Sequence, residues 1–111
     1  MSPQLEQLLA KSSKTERIFI GLMSGTSMDG LDIALCAISG SGLQTKVNLR
    51  QFKTATYSAD FRAKIKVVFA QKTVDLQLLC LMNAHIAEVH AALILAALAE
   101  WNLTSDAVDF I

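Results

Sequence analysis

Seven residues between two apolar segments, all small or polar apart from Met28, hold most of the groups in this chain that could bind a ligand. Residues 24–30 read SGTSMDG and separate the apolar residues 18–23 from a second apolar segment that begins at Leu31. Small side chains leave backbone N–H groups accessible, and successive N–H groups in a tight loop form a concave site for an anion. The composition of residues 24–30 therefore fits a loop that holds phosphate groups.

The individual residues of this loop support the same interpretation. Gly25 and Gly30 allow the main chain to approach a ligand closely because they carry no Cβ atom. Asp29 and Asp32 offer carboxylate oxygens, which Mg²⁺ prefers as ligands, either directly or through water. Further hydrogen-bond donors come from three hydroxyl side chains, those of Ser24, Thr26 and Ser27. The loop thus has the parts of a site for phosphate and Mg²⁺.

A plain hairpin turn is the alternative interpretation of the same residues. Glycine, serine and aspartate are favoured in turns for conformational reasons alone. The segment is not a Walker A motif, because no Gly-Lys-Ser/Thr follows, and it is not a dinucleotide fingerprint, because a strand is predicted after it instead of a helix. Residue types and spacing leave both the phosphate loop and the plain turn open.

The elements around this loop are predicted to be three antiparallel strands. Residues 18–23 predict a buried strand, with Met23 in the core. The strand after Leu31 is apolar on both faces beyond Asp32, which predicts a central position, and SGSG at residues 39–42 predicts a hairpin turn. Polar residues alternate through residues 43–57, which predicts an edge strand. The sheet residues predicted to be buried include Ile18, Ile20, Leu22, Ile33 and Leu35.

Two helices are predicted to follow the strands. Ser58 is a good N-cap for the first helix, whose charged residues Arg62, Lys64 and Lys66 are expected on a solvated face. The second helix is predicted from residue 74 or 75 to Trp101, which anchors it, with Asn102 ending it. Its apolar stripe comprises Leu79, Met82, Ile86, Val89, Leu93 and Ala97. Residues 108–111 (VDFI) then predict the start of another strand, so we expect a truncated β-β-β-α-α-β segment.

Composition excludes several function classes. Ten basic residues balance ten acidic residues, so charge gives no argument for binding nucleic acid or an anionic membrane. Residues 1–17 have no continuous apolar core, so they are expected to be an N-terminal extension, mobile or loosely helical, and not a signal peptide. The most apolar run, residues 91–99, is far shorter than the ~20 residues of a membrane span. Cys36 and Cys80 are predicted to be buried thiols, which suits a reducing cytoplasm.

The two histidines do not predict a metal site. His85 and His90 lie five residues apart on the second helix, which places them about 140° apart around its axis. A metal-binding pair on a helix has i, i+4 spacing instead. Both are therefore predicted to be ordinary helix residues.

The segment GLMSGTSMDGLDIAL resembles the N-terminal signature of the anhydro-N-acetylmuramic acid kinases, sugar kinases of the actin, hexokinase and Hsp70-like ATPase superfamily. The resemblance extends more weakly over residues 17–111. It implies an α/β fold, the N-terminal part of an actin-like ATPase (ribonuclease H-like) domain over residues 18–111, with residues 1–17 as an extension. A cytoplasmic protein is expected, and a homodimer of the full-length protein is compatible with this interpretation.

The resemblance also implies a ligand and a reaction. ATP would contact the family's Gly-Thr-Ser-x-Asp-Gly-x-Asp segment, which here comprises Gly25, Thr26, Ser27, Met28, Asp29, Gly30, Leu31 and Asp32. ATP with Mg²⁺ would then open and phosphorylate 1,6-anhydro-N-acetylmuramic acid, giving N-acetylmuramate 6-phosphate in cell-wall recycling. The catalytic base is expected beyond residue 111, and no residue of this chain is assigned to it. The alternatives are a non-catalytic phosphate-binding fragment and a helical interaction fragment.

Overall fold

The sheet is an antiparallel meander, as predicted. In the computed structural model, which describes residues 1–111, its strands are β1 (Glu16–Ser24), β2 (Gly30–Ser39) and β3 (Lys46–Thr56), in the order β1-β2-β3. Register pairs Ser24 with Leu31 across β1 and β2, and Gly30 with Thr56 across β2 and β3. The central position of β2 and the edge position of β3 are both confirmed.

Alternation along β2 determines which face of the sheet packs against the helices. Its buried residues are Leu31, Ile33, Leu35 and Ala37. The residues between them point to the opposite face and are only half-buried. Because side chains alternate along a strand, this pattern identifies one core face and one more open face. Nearly all of β3 is exposed, as expected of an edge strand.

The connection between β2 and β3 is longer than the hairpin turn predicted at residues 39–42, because β2 ends at Ser39 and β3 begins only at Lys46. Gly40 and Gly42 both have positive φ, of 76° and 55°, as glycine allows. A short 3-10 helix, Gly42–Gln44, then precedes β3. The turn chemistry was correctly predicted from SGSG, but its length was not, because the 3-10 turn has no strong signal of its own.

Local capping signals define the two long helices correctly. α2 (Ala59–Val68) begins after Ser58, whose side chain accepts a hydrogen bond from the backbone N–H of Phe61 at 3.1 Å. α3 (Leu76–Glu100) begins after Asp75, which accepts one from Leu78 at 2.8 Å. α3 ends in a Schellman motif: Asn102 has φ 58°, and the N–H of Leu103 donates to the carbonyl oxygen of Leu98 at 2.8 Å.

The core lies between the β2 face and the helices. Its eleven buried residues are Ile20, Leu31, Ile33, Leu35, Ala55, Tyr57, Phe61, Met82, Ile94, Ala97 and Leu98. Half-buried residues that pack against it include Ile18, Ile86, Val89, Leu93 and Trp101, which agrees with the predicted stripe of α3 and with Trp101 as an anchor. Leu79 was wrongly included, since it is 46% exposed near the start of α3.

Further burial predictions are wrong: Leu22, Met23 and the two cysteines are not buried, and Ile18 is only half-buried. Leu22 and Met23 are 38% and 60% exposed. Met23 lies on the sheet face opposite Ile20 because strand side chains alternate, and Leu22 lies near the end of an edge strand. Cys80 is exposed and Cys36 only half-buried, although both thiols are free as expected. An apolar segment alone does not reveal which of its faces is covered.

Residues 14–20 contact two of the last residues of the chain, Asp109 and Phe110. α1 (Pro3–Ser12) is a regular helix within the predicted extension, and none of its residues is buried. Phe110 pairs with Phe19 in a parallel bridge beside β1, which confirms that VDFI begins a further strand. Asp109 accepts hydrogen bonds from the Lys14 ammonium at 2.8 and 3.0 Å and from the Ile18 N–H at 2.8 Å.

α3 is also long and apolar enough to cross a membrane by length and composition. The mean hydropathy of its most apolar 18-residue stretch is 1.7. Only 11% of that stretch is buried within this chain, although α3 packs against the sheet through Ile94, Ala97 and Leu98. The absence of a membrane partner stays a prediction.

Candidate functional site

The loop between β1 and β2 is a tight turn on the end of a hairpin. Strand pairing between β1 and β2 continues to Ser24 and Leu31, so only residues 25–30 lie between the last paired residues. The N–H of Met28 donates to the carbonyl oxygen of Gly25 at 3.1 Å, and Met28 has φ 57°. The hairpin interpretation is therefore correct as geometry. A tight turn also brings neighbouring backbone N–H groups together, which is what a phosphate loop requires.

The two glycines of the loop have different structural roles. A Cβ atom added to Gly30 would overlap the carbonyl oxygen of Ala55 on β3, so the fold itself requires glycine there. A Cβ atom at Gly25 would make only ordinary contacts, the nearest being 3.7 Å from the Met23 sulfur. The fold therefore leaves room for a side chain at Gly25, whereas the space beside Gly30 is filled by the protein.

The hydroxyl groups of the loop also differ. Ser24 Oγ lies 2.8 Å from the Tyr57 hydroxyl and is therefore hydrogen-bonded to the protein. Thr26 and Ser27 are exposed at the tip of the hairpin. Thr26 and Ser27 can donate to a bound anion without breaking a protein contact shown by the structure.

Neither carboxylate of the loop is buried, but each has a neighbour. The Asp29 side chain is 72% exposed and lies 3.5 Å from the guanidinium of Arg62. Asp32 Oδ1 accepts a hydrogen bond from the Thr54 hydroxyl at 2.7 Å. No group of three or more His, Cys, Asp or Glu residues is placed to hold a metal ion. A phosphate-bound Mg²⁺ needs only one or two carboxylates, so both residues remain candidates.

Two loop residues face inward or bend the chain. Leu31 is 1% exposed, so its side chain cannot reach a ligand, and only its backbone is available. Met28 is half-buried and occupies the left-handed conformation of the turn. Among residues 25–32, these two therefore shape the loop, and their side chains contribute little to its exposed surface.

Sequence reasoning missed three residues that hold the loop. Tyr57 donates its backbone N–H to the carbonyl oxygen of Asp29 at 2.9 Å, and its hydroxyl contacts Ser24. The same hydroxyl lies 2.8 Å from Nε2 of His90 on α3. Arg62, predicted on a solvated face, instead pairs with Asp29. These partners are far apart along the chain, so no local pattern indicates them.

The environments of the two histidines differ. Burial lowers the pKa of His90 below its ordinary value of 6.5, which favours the neutral ring beside Tyr57. His85 instead packs edge-on against Phe61, with ring centroids 5.5 Å apart. The two rings therefore contact different aromatic residues of the core, Tyr57 for His90 and Phe61 for His85.

The structure is an α/β segment whose first hairpin presents a hydroxyl-bearing turn. Comparison with known proteins assigns this segment to a class of kinases. The family model described as "Anhydro-N-acetylmuramic acid kinase" matches residues 17–111. The chain belongs to the anhydro-N-acetylmuramic acid kinase family.

Individual relatives agree with this assignment. The chain is 42% identical over its whole length to the anhydro-N-acetylmuramic acid kinase of Pseudoalteromonas atlantica, and it covers 28% of that protein. It is 38% identical to the enzyme of Pseudoalteromonas translucida, with the same coverage. It is 37% identical over 107 residues to that of Caldanaerobacter subterraneus, covering 96% of this chain and 27% of the relative. The chain thus spans little more than a quarter of the length of these relatives.

Proposed function

We propose that residues 24–30 bind the phosphates of ATP in a kinase that acts on 1,6-anhydro-N-acetylmuramic acid. The observation that carries this proposal is the open turn at Gly25, which the fold does not require to be glycine. A residue without a side chain is useful there if a ligand must approach the backbone. Membership of the kinase family supports ATP as that ligand.

The proposed reaction adds water and a phosphoryl group to the sugar. A base from outside these residues takes a proton from water, whose oxygen bonds to the anomeric carbon as the internal ether bond to O6 breaks. O6 then takes the γ-phosphoryl group, and ADP leaves. The products are N-acetylmuramate 6-phosphate and ADP. In this scheme residues 24–30 hold the phosphates in position.

Asp29 and Asp32 are the proposed contacts for Mg²⁺, directly or through water. Mg²⁺ would neutralise charge that develops on the transferred phosphoryl group. The exposure of Asp29 fits this role, since a carboxylate that must reach a hydrated ion cannot be buried. The Thr54 hydroxyl holds Asp32 in one orientation while leaving its second oxygen available.

The wider setting is part of the same proposal. We infer an actin-like ATPase fold for the whole protein, a cytoplasmic location and a role in cell-wall recycling. A homodimer of the whole protein also belongs to this proposal. The three-stranded meander followed by helices and a parallel bridge at Phe110 is compatible with that fold.

Exposed apolar residues on α3 favour a second candidate, a helical interaction segment. Leu76, Leu81 and Leu95 are 72%, 62% and 56% exposed. Exposed apolar side chains along a helix can serve as contacts with another chain or domain. A non-catalytic phosphate-binding fragment would instead bind ATP and transfer nothing.

A product assay distinguishes these candidates. A protein of full family length that carries these residues would be incubated with ATP, Mg²⁺ and the anhydro sugar in ¹⁸O-labelled water. Mass spectrometry should find N-acetylmuramate 6-phosphate with one ¹⁸O atom and a matching amount of ADP. ATP binding without product would favour the non-catalytic fragment. The absence of both would favour the interaction segment.

A further inference from the structure

Tyr57 contacts both ends of the hairpin loop from beneath. Its hydroxyl lies 2.8 Å from Oγ of Ser24, the last residue of β1. Its backbone N–H donates to the carbonyl oxygen of Asp29, just before β2, at 2.9 Å. One residue therefore connects the point where the chain leaves the sheet with the point where it returns.

Tyr57 is itself held firmly by the core. It is 4% exposed, and its ring packs edge-on against Phe61 with centroids 4.8 Å apart. The ring of His90 stacks nearly parallel to it at 6.0 Å, and Nε2 of His90 lies 2.8 Å from its hydroxyl. A hydrogen-bond chain thus runs from α3 through Tyr57 to the first residue of the loop.

The direction of hydrogen donation in this chain bears on anion binding. A tyrosine hydroxyl has one hydrogen and accepts with its oxygen. If Nε2–H of His90 donates to Tyr57, then Tyr57 donates to Ser24, and the Ser24 hydrogen is free to donate elsewhere. A phosphate oxygen only accepts hydrogen bonds, so this direction leaves Ser24 able to bind it.

We propose that Tyr57, supported by His90, is a positioning residue that holds the loop and the Ser24 hydroxyl ready for the phosphates of ATP. This inference rests on the proposed function of residues 24–30. Tyr57 does not touch the ligand. Its effect is to keep the loop in one conformation, so that less freedom is lost when ATP binds.

Tyr57→Phe is the first variant, because it removes the hydroxyl and retains the ring that packs against Phe61. In a protein of full family length, calorimetry should show an ATP dissociation constant that rises about 3- to 10-fold, the range expected from one neutral hydrogen bond. The dissociation constant of the anhydro sugar should not change. Ser24→Ala should have the same effect, and the double variant should bind ATP no more weakly than the weaker of the two single variants.

His90 provides a conservative rescue. His90→Leu should weaken ATP binding as Tyr57→Phe does, whereas His90→Gln should restore it in part, because an amide can still contact the Tyr57 hydroxyl. Leu98→Val is the matched control: it removes one buried methylene two turns further along α3. It should lower the melting temperature without changing ATP affinity.

Two results would overturn the inference. If the unchanged protein binds ATP and neither Tyr57→Phe nor Ser24→Ala alters the dissociation constant, Tyr57 is only a core residue, and the proposed function survives. If the unchanged protein binds no ATP at all, the proposed function fails and this inference fails with it. Ser24 lies at the surface, so its variant remains informative even if Tyr57→Phe does not fold.

Discussion

Gly30 on β2 and Ala55 on β3 approach so closely that no side chain fits between their backbones. A Cβ atom on Gly30 would overlap the Ala55 carbonyl oxygen and lie 3.3 Å from the Cα atom of Thr56. This contact lies directly beside the loop, where Tyr57 hydrogen-bonds to Asp29. The absence of a side chain at Gly30 therefore allows β2 and β3 to pair closely, and this structural role explains the glycine without a ligand.

Gly30→Ala should destabilise the fold by about 1–3 kcal/mol, the usual cost of forcing an extra group into a packed site. The neighbouring backbone atoms cannot move aside as a flexible side chain would. Chemical denaturation would measure the free energy of unfolding. Gly21→Ala is the matched control, since a Cβ atom there meets nothing within 4 Å. Equal stability of the two variants would contradict the close contact.

The core face of the sheet can be tested at a pair of facing residues. Ile33 is fully buried and pairs in register with Leu22, which is 38% exposed. Ile33→Ala should cost about 2–5 kcal/mol of unfolding free energy, because it leaves a cavity in the core. Leu22→Ala should cost less than about 1 kcal/mol, since much of its surface already contacts water. Similar losses at both positions would contradict the exposure of Leu22 near the end of β1.

Asp109 should make the free energy of unfolding depend on pH in the acidic range. The Lys14 ammonium and the Ile18 N–H hold the pKa of its carboxyl group below the ordinary value of 3.8. A carboxylate with a lowered pKa in the folded state contributes stability above pH 3.8, and this contribution is lost as the pH falls through the folded-state pKa.

Asp109→Asn should therefore lower the melting temperature at pH 7 and flatten its decline in acid. Lys14→Met removes the cation that pairs with Asp109, so it should likewise lower the melting temperature at pH 7 and flatten its decline in acid. Thermal unfolding followed by circular dichroism over a pH series would measure this. An unchanged acid profile in both variants would contradict the role of this ion pair.

Much of the fold could be predicted because its signals are local. Ser58, Asp75 and Asn102 each act within a few residues, where a side chain or a left-handed backbone satisfies a helix end. Alternation along β2 likewise needs no distant partner to be recognised. Elements whose boundaries depend on such short-range chemistry were placed correctly.

The supports of the candidate site could not be predicted, because they depend on packing between distant segments. Tyr57 meets Ser24 only when β3 lies beside β2, and His90 meets Tyr57 only when α3 crosses the sheet. Arg62 looked like a surface charge until α2 placed it beside Asp29. The exposure of Leu22 and Leu79 was missed for a related reason. Periodicity identifies an apolar face, but it does not show whether another element covers it.

The proposed metal contacts can be tested by removing charge while keeping shape. Asp29→Asn keeps the turn, because asparagine tolerates similar conformations, and it removes an oxygen ligand that Mg²⁺ prefers. In the full-length protein, ATP turnover should fall by at least about tenfold, and ATP affinity without Mg²⁺ should rise or stay constant.

Asp32→Asn provides the comparison for Asp29. Steady-state rates measured over a range of Mg²⁺ concentrations should show that higher Mg²⁺ partly restores the Asp29 variant. If Asp29→Asn leaves ATP turnover unchanged and Asp32→Asn does not, Asp32 or a residue outside this segment holds the metal. If both variants turn over ATP at the unchanged rate, neither carboxylate holds the metal.

The central claim is that the open turn at Gly25 receives the phosphates of ATP, and the most direct measurement is ATP affinity in Gly25→Val. The fold has room for a side chain at Gly25, so the melting temperature should stay within the small range expected of a surface change. The new side chain would occupy the space in which the phosphates must lie. Calorimetric titration of Mg²⁺-ATP into the full-length protein should show binding at least about tenfold weaker than in the unchanged protein, a loss of about 1.4 kcal/mol or more. Unchanged affinity in a stably folded Gly25→Val variant would contradict the account and leave SGTSMDG as a hairpin turn.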